Sequence, residues 1–187
     1  MSNLRLKSIS TGTLYFYIKQ WYNFDMTKEN IYEFIKSKNI WYLIEEHKPV
    51  FNMNELKNIN LKYPKSDAKN VFLTDDKKSK YYLISVKSDK KIDIKEFKNK
   101  YDTRHLSFAR ENDLKEILGL TAGSVSLLGI LNDNDRKVSV YIDNYFLEGK
   151  GIIGVHPLKN DATVWLKTKD LINIIKEHGN EVNIIEI

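Results

Sequence analysis

Residues 69–86 read KNVFLTDDKKSKYYLISV, and this stretch decides the fold. Two runs rich in β-branched and aromatic residues, Lys69–Thr74 and Tyr81–Val86, are typical of strands. The polar residues 75–79 (DDKKS) lie between them, a length and composition typical of a hairpin connection. We therefore predict a β-hairpin over residues 69–86.

Segments with helical or strand periodicity flank this hairpin on both sides. Helices are predicted after the N-cap Thr27 to about Ser37–Asn39, at Phe51–Asn60, Ile92–Tyr101 and Glu111–Leu118 with Gly119 as C-cap, and from Thr168 to Gly179. Further strands are predicted at Ile40–Ile44, Leu128–Leu131, Val138–Ile142, Thr163–Leu166 and Val182–Ile187. Residues 132–135 (NDND) form a turn cluster.

This irregular mixture of strands and helices predicts a mixed α/β (α+β) fold. We expect a single domain with a mixed, largely antiparallel, curved sheet flanked by helices, because 187 residues suffice for one core and are too few for two. Residues 27–187 are assigned to this domain. Residues 1–26 are left as an N-terminal extension of unassigned role. Residues 1–24 are basic and contain no acidic residue, which is typical either of an organelle transit peptide or of an extra strand or helix at the edge of the core.

Composition narrows the functional classes. The chain has no cysteine, which excludes disulfides, zinc–thiolate sites and cysteine nucleophiles. Its four histidines show no metal-ligand spacing, so neither a metal nor another cofactor is expected. The net charge of +5 favours a polyanionic partner. No stretch approaches the roughly 20 apolar residues of a membrane span, and no secretory signal is recognised, so we expect a cytoplasmic protein without membrane contact.

Common catalytic motifs are missing. Neither a glycine-rich phosphate loop nor the G-x-S-x-G elbow of serine hydrolases occurs. Three local features remain. Lys69 and Asn70 open an apolar strand, although a lysine at a strand end is more often simply solvated. Residues 120–126 (LTAGSVS) form a small-residue loop whose N–H groups can approach a ligand oxygen, or a plain tight turn. Residues 155–160 (VHPLKN) place a histidine before a proline-fixed turn.

Together these features resemble the YbaK/ProX family. The matching segments, in order, are residues 69–73 (KNVFL), 106–109 (LSFA), 118–126 (LGLTAGSVS), 132–133 (ND) and 156–163 (HPLKNDAT). The similarity covers about residues 27–178. It is nearest to the free-standing ProX branch, which is similar to the editing domain of bacterial prolyl-tRNA synthetases.

The resemblance implies a trans-editing hydrolase that removes alanine mischarged onto proline tRNA. It implies tRNA as a partner, with prolyl-tRNA synthetase as a second candidate. Carried over residue by residue, the catalytic positions are Lys69, Gly123 and His156. The substrate-binding positions are Asn70, Ser124, Val125, Ser126, Asn132, Val155 and Asn160. Because a lysine side chain is ordinarily protonated at neutral pH, the role implied for Lys69 is to hold the substrate by charge.

One residue departs from the family pattern. Leu127 stands where the family loop has proline, which would fix φ and stiffen the loop. The departure leaves the amino acid specificity open. Two alternatives therefore stand beside alanine editing: a deacylase for Cys- or Ser-charged tRNA, and a non-catalytic module that binds aminoacyl-tRNA or a synthetase.

Overall fold

The computed structural model describes residues 26–49 and 59–187. Four α-helices lie in these ranges: α1 (Lys28–Ser37), α2 (Ile94–Lys100), α3 (Glu111–Leu118) and α4 (Thr168–His178). The strands in the same ranges are β1 (Tyr42–Glu46), β2 (Ala68–Asp75), β3 (Tyr81–Lys87), β4 (Leu106–Phe108), β5 (Val138–Asp143), β6 (Ile152–Val155), β7 (Ala162–Lys167) and β8 (Val182–Ile185). Short 3₁₀ helices occupy Pro64–Ser66, Leu127–Asn132 and Asn144–Leu147.

The strands of the described residues form two sheets. One has the order β4-β2-β3-β5-β8 and the other β1-β7-β6. The β3–β5 and β5–β8 pairs are parallel, and the remaining four pairs of this part of the chain are antiparallel. A parallel bridge between Asp67 and Gly154 links the start of β2 to β6. The predicted mixed, largely antiparallel architecture with flanking helices is confirmed, with its strands divided between two sheets.

The predicted hairpin is present as β2 and β3. Its antiparallel register pairs Lys69 with Val86 and Asn70 with Ser85. Because side chains alternate along a strand, its two faces pack in different clusters. Phe72 belongs to the main core, whereas Leu73 belongs to a second core that includes Phe97 of α2. By the same alternation, Lys69 and Asn70 lie on opposite faces of β2.

The predicted helix ends are confirmed by their caps. At the start of α1, Asn30 N donates to Thr27 Oγ1 at 3.3 Å, while Thr27 N donates to Asn30 Oδ1 at 3.1 Å. Gly119 follows α3 with φ of +65°, the left-handed conformation that glycine adopts without steric cost. The N-terminus of α1 and the C-terminus of α3 therefore lie where the sequence predicted them.

One predicted strand is wrong. Residues 128–131 belong to the 3₁₀ helix Leu127–Asn132, all six residues of which are buried. Ser126 caps it by accepting a hydrogen bond from Leu128 N at 3.3 Å. A short, wholly apolar run does not distinguish a buried strand from a buried helical turn, which explains the error.

The remaining differences between the predicted and observed elements are smaller than this error. Strand β1 begins at Tyr42, two residues later than expected. Strands β4 and β6, of three and four residues, were not predicted. The predicted helix at Phe51–Asn60 lies largely outside the described residues, as does the N-terminal extension.

The C-terminal segment follows the prediction. Helix α4 has 11 residues, and β8 adds an edge strand parallel to β5. Within residues 26–49 and 59–187, none of the helices is both long enough and apolar enough to cross a membrane.

Candidate functional site

Four of the predicted site residues are joined through hydrogen bonds beside one face of β2. Asn70 Nδ2 donates to the backbone carbonyl of Val125 at 2.9 Å. Ser126, the next residue, donates its hydroxyl to the carbonyl of His156 at 2.6 Å. Strand β2, the loop before the 3₁₀ helix and the loop after β6 are thus fixed to one another. We call this group the Asn70 face: Asn70, Val125, Ser126 and His156.

The loop at residues 121–126 is closed by its own polar side chains. Ser124 Oγ donates to the carbonyl of Thr121 at 2.9 Å and accepts from Thr121 N at 3.2 Å. Gly123 is exposed, with φ of +85°, a conformation that favours glycine. In the part of the chain that the structure describes, the backbone N–H groups of the exposed Gly123 and the half-buried Val125 have no protein acceptor. Such N–H groups can bind a carboxylate or a developing oxyanion.

His156 is held in one tautomer. Its Nδ1 lies 3.1 Å from the carbonyl oxygen of Ala162, which can only accept, so Nδ1 carries the proton. Burial of the ring lowers the pKa of His156 from its ordinary value of 6.5, and the neighbouring His47 lowers it further, against the opposing effect of the Ala162 hydrogen bond. The imidazole is therefore neutral at pH 7, and its Nε2 is a hydrogen-bond acceptor.

The loop that carries His156 is anchored to α1. Lys28 Nζ contacts Asp161 and Glu46, each at 2.7 Å, and its side chain is only 11% exposed. The hydrogen bond from Lys28 lowers the pKa of Asp161. His47 N also donates to the Asp161 carbonyl at 3.0 Å. These contacts from two elements fix the loop between β6 and β7.

Lys69 lies on the other face of β2, where a separate set of contacts orients its side chain. Its Nζ donates to the carbonyl of Lys90 at 3.0 Å. Lys90 Nζ in turn forms an ion pair at 2.8 Å with Asp143, whose side chain is fully buried. A buried carboxylate thus fixes the turn that orients Lys69. Since an ammonium group has three donors, two N–H bonds of Lys69 remain for a ligand.

The other predicted site residues are placed differently. Asn132 Nδ2 donates to the carbonyl of Leu118 at 2.9 Å, and its Oδ1 accepts from Met26 N at 2.6 Å. Both ends of this amide are thus engaged by backbone groups around α3 and before α1. Val155 is 2% exposed and packs in the main core. Asn160 is half-buried in the loop between β6 and β7. Their roles in binding substrate stay predictions.

Two polar atoms on the Asn70 side of the hairpin are buried without a partner among the described residues. They are Asn70 Oδ1 and Ser85 Oγ. The two residues are directly opposite each other in the β2–β3 register. An unpaired buried polar group costs about 1–3 kcal/mol, so these atoms are the least favourable part of an otherwise well-bonded face.

Several residues that shape the site were not nominated from the sequence. Lys90 and Asp143 meet only through the fold, so no local pattern could indicate them. His47 and Asp67 carry no recognised motif, although burial raises the pKa of Asp67 to about 7. Phe108 lies in the quoted segment 106–109 and is 66% exposed. The described residues contain no group of three or more side chains that could hold a metal ion.

Comparison with known proteins gives the family. Residues 47–174 match the model of the aminoacyl-tRNA editing domain. This range covers more than half of the chain and includes Lys69, Gly123 and His156. The chain belongs to the aminoacyl-tRNA editing domain family. The resemblance predicted from the sequence is thereby confirmed, and with it the enzyme class, an aminoacyl-tRNA editing hydrolase.

Curated relatives match this editing-domain chain over most of their length. The prolyl-tRNA editing protein ProX of Acetoanaerobium sticklandii is 40% identical over 146 residues, which cover 78% of this chain and 88% of ProX. The prolyl-tRNA synthetase associated domain-containing protein 1 of Danio rerio is 30% identical over 154 residues, covering 82% and 83% of the two chains.

Two crystal structures share the fold of the editing-domain chain. One is described as a candidate trans-editing enzyme for prolyl tRNA synthetase; its TM-score is 0.59 at 16% identity, over 78% of this chain and 87% of that one. The other, a hypothetical protein, has a TM-score of 0.60 at 17% identity, over 82% and 96%. At these identities the likeness establishes the fold alone.

Proposed function

We propose that this editing-domain protein hydrolyses mischarged tRNA in trans, and that its substrate is alanine esterified to proline tRNA. The observation that carries the proposal is the Asn70 face. Its loop at residues 123–126 contains backbone N–H groups without protein acceptors among the described residues, and Ser126 of this loop is hydrogen-bonded to His156, whose imidazole is neutral. Ester hydrolysis needs donors for the oxyanion and an acceptor for a proton. The relative named prolyl-tRNA editing protein supports the choice of tRNA.

The reaction can be assigned to groups on this face. Water attacks the ester carbonyl, its oxygen bonds to the carbonyl carbon, and the negative charge that develops on the carbonyl oxygen is stabilised by the N–H groups of the 123–126 loop. His156 Nε2 accepts a proton from the attacking water and returns it to the ribose oxygen when the ester C–O bond breaks. The products are the free amino acid and uncharged tRNA.

Lys69 contributes charge from the other face. Its ammonium is a compact cation suited to a phosphate or ribose oxygen next to the reacting ester. Lys69 is the second residue of β2, so a ligand at this end of the strand can reach both faces. The tRNA 3′ end, which is single-stranded and flexible, is such a ligand.

We choose alanine because a synthetase site built for proline cannot reject a smaller apolar amino acid strongly. One methylene is worth about 1–3 kcal/mol in an apolar pocket, so a site built for proline admits alanine. A second site that excludes proline by size then clears the error. Val155 and Leu127 are both buried in the core. They support the part of the site that lies beside His156 and the 123–126 loop, and they are our candidates for the residues that exclude proline by size.

The test is amino acid release from proline tRNA charged separately with alanine, cysteine, serine or proline. We expect alanine to be released fastest and proline to be retained. Lys69→Ala should reduce release, whereas Lys80→Ala, a change at an exposed lysine at the far end of the hairpin, should match the wild type. Fastest release of cysteine or serine would reassign the substrate. No release from any of the four would show a binding module instead of an enzyme.

Three further expectations stay predictions. Association with prolyl-tRNA synthetase is tested by co-elution of the two purified proteins on gel filtration. The domain boundary at residue 27 is tested by limited proteolysis of the full chain, which should leave residues 27–187 intact. Cytoplasmic location is tested by fractionation of cells that express the full chain.

A further inference from the structure

A groove lies on the Lys69 side of β2, opposite the Asn70 face. It encloses about 240 Å³ and is lined by Lys69, Val71, Lys91, Ile92, Ile94 and Phe108. We call it the Phe108 groove. Pockets that enclose a whole drug-sized ligand measure roughly 300–1,000 Å³. The Phe108 groove therefore has room for one planar ring system with the rest of the ligand outside it.

Phe108 is the most exposed large hydrophobic side chain of the described residues, at 66%. It lies at the end of β4, where it pairs with Leu73 of β2 at the edge of the five-stranded sheet. Burying an aromatic ring is strongly favourable, so an aromatic side chain held open beside an apolar groove indicates a binding surface.

The charge of the groove is of one sign. Lys69 and Lys91 are among its six lining residues, and no carboxylate is. Lys91 is exposed and forms no ion pair within the described residues. Lys69 has two N–H donors beyond the one that contacts Lys90. A ligand that fits must therefore combine a flat apolar face with negative charge.

We propose that the Phe108 groove binds the unpaired 3′-terminal nucleotide of tRNA, with its base stacked on Phe108 and its phosphate between Lys69 and Lys91. This inference rests on the proposed function and adds to it the subsite that holds the end of the substrate. Aromatic stacking with flanking cations is the usual way to bind a single-stranded nucleotide, because every base presents a flat face. An apolar metabolite would leave both lysines unused, and a small anion would leave the ring unused.

The test uses uncharged proline tRNA, intact or with its terminal nucleotide removed, so that it requires no hydrolysis. We expect the wild type to bind the trimmed tRNA about 5- to 150-fold more weakly than the intact one, the range typical of one stacked base. Phe108→Leu should bind both forms with the weaker affinity. Trp41→Leu, a matched change at an exposed aromatic outside the groove, should keep the wild-type difference.

A second variant tests the charge. Lys91→Gln should reduce the slope of log affinity against log salt concentration by about 0.7, the loss expected for one phosphate contact on a single strand. Equal wild-type affinity for intact and trimmed tRNA would overturn the proposal, as would wild-type affinity and salt slope in both variants. If deacylation fails while trimming weakens binding, the proposed function falls and the groove assignment stands. If deacylation succeeds and trimming has no effect on binding, the proposed function stands and the groove assignment falls.

Discussion

Lys69 and Asn70 are neighbours on β2, yet their side chains lie on opposite faces and are held in different ways. The Asn70 face is fixed by hydrogen bonds of 2.6–3.1 Å, in each of which a side chain contacts a backbone carbonyl of another segment or turn. Lys69 is held by one carbonyl and lies in an apolar groove with a second lysine. The rigid face suits oxyanion stabilisation, and the looser, charged face suits a flexible polyanion. In our proposal, strand alternation therefore places the catalytic groups on one face of β2 and the tRNA-binding groups on the other.

The largest expected effect comes from protonating His156. Because burial lowers the pKa of His156 from 6.5, the ring is neutral at pH 7, and the rate should stay constant until the pH falls below 6.5. Below the actual pKa it should decline about tenfold per pH unit, since the protonated ring accepts no proton. The measurement is the single-turnover deacylation rate from pH 5 to 8.

The exposed His105 provides the control for this profile. His105→Gln should keep the wild-type dependence, and His156→Gln should lose it together with most of the rate. A wild-type rate that already falls tenfold between pH 8 and pH 7 would contradict a neutral His156.

Ser126→Ala should weaken the Asn70 face itself. The substitution removes the hydroxyl that donates to the His156 carbonyl and accepts from Leu128 N, in a residue that is fully buried. We expect the free energy of unfolding to fall by about 2–3 kcal/mol. Urea denaturation measures this loss. Ser107→Ala, at an exposed position of β4, should change it by less than about 0.5 kcal/mol. Equal losses in both variants would mean that the bond does not fix the loop.

Asp67 tests the junction between the two sheets, where it bridges to Gly154. Burial raises the pKa of Asp67 to about 7 from an ordinary 3.8. Between these pH values the folded chain holds a proton that the unfolded chain has lost, so this group's contribution to stability declines as the pH rises. Asp67→Asn removes the buried charge and should stabilise the protein at pH 8, by up to about 4 kcal/mol for a shift of this size. At pH 4 the variant should match the wild type in urea denaturation; equal stabilisation at both pH values would exclude a titrating Asp67.

The smallest effect is expected at Ser85. Its hydroxyl is buried without a partner among the described residues, so Ser85→Ala removes a desolvation cost and no hydrogen bond. The free energy of unfolding should stay within about 0.5 kcal/mol of the wild type, with a gain favoured over a loss. A loss above about 1.5 kcal/mol in urea denaturation would show that the hydroxyl has a partner and that the Asn70 face is more completely bonded than described.

Much of the fold could be predicted because its signals are local. The hairpin follows from two β-rich runs and a polar connection, and the helix ends follow from Thr27 and Gly119, whose capping chemistry needs only neighbouring residues. Strands β4 and β6 are too short to show a period. The run at 128–131 is apolar throughout, so its conformation was decided by packing from elsewhere in the chain.

The sequence nominated residues of the candidate site but did not indicate how they are arranged. The segments that match the family contain Asn70, Ser126 and His156, but the hydrogen bonds that connect these segments join positions 30 and more residues apart in sequence. Asn132 shows the limit: its amide bonds to Met26, 106 residues away, which no local pattern indicates. That Lys69 and Asn70 lie on opposite faces could have been predicted from strand alternation alone.

The central claim is that the two faces of β2 divide the work on one substrate. The most direct test compares Lys69→Ala and His156→Ala in two assays on the same tRNA preparation: affinity for uncharged proline tRNA, and the single-turnover rate on the alanine-charged form at saturating protein. We predict that Lys69→Ala weakens binding. His156→Ala should slow hydrolysis about 100-fold or more while tRNA affinity stays within about twofold. Wild-type affinity in Lys69→Ala together with weakened affinity in His156→Ala would contradict this division.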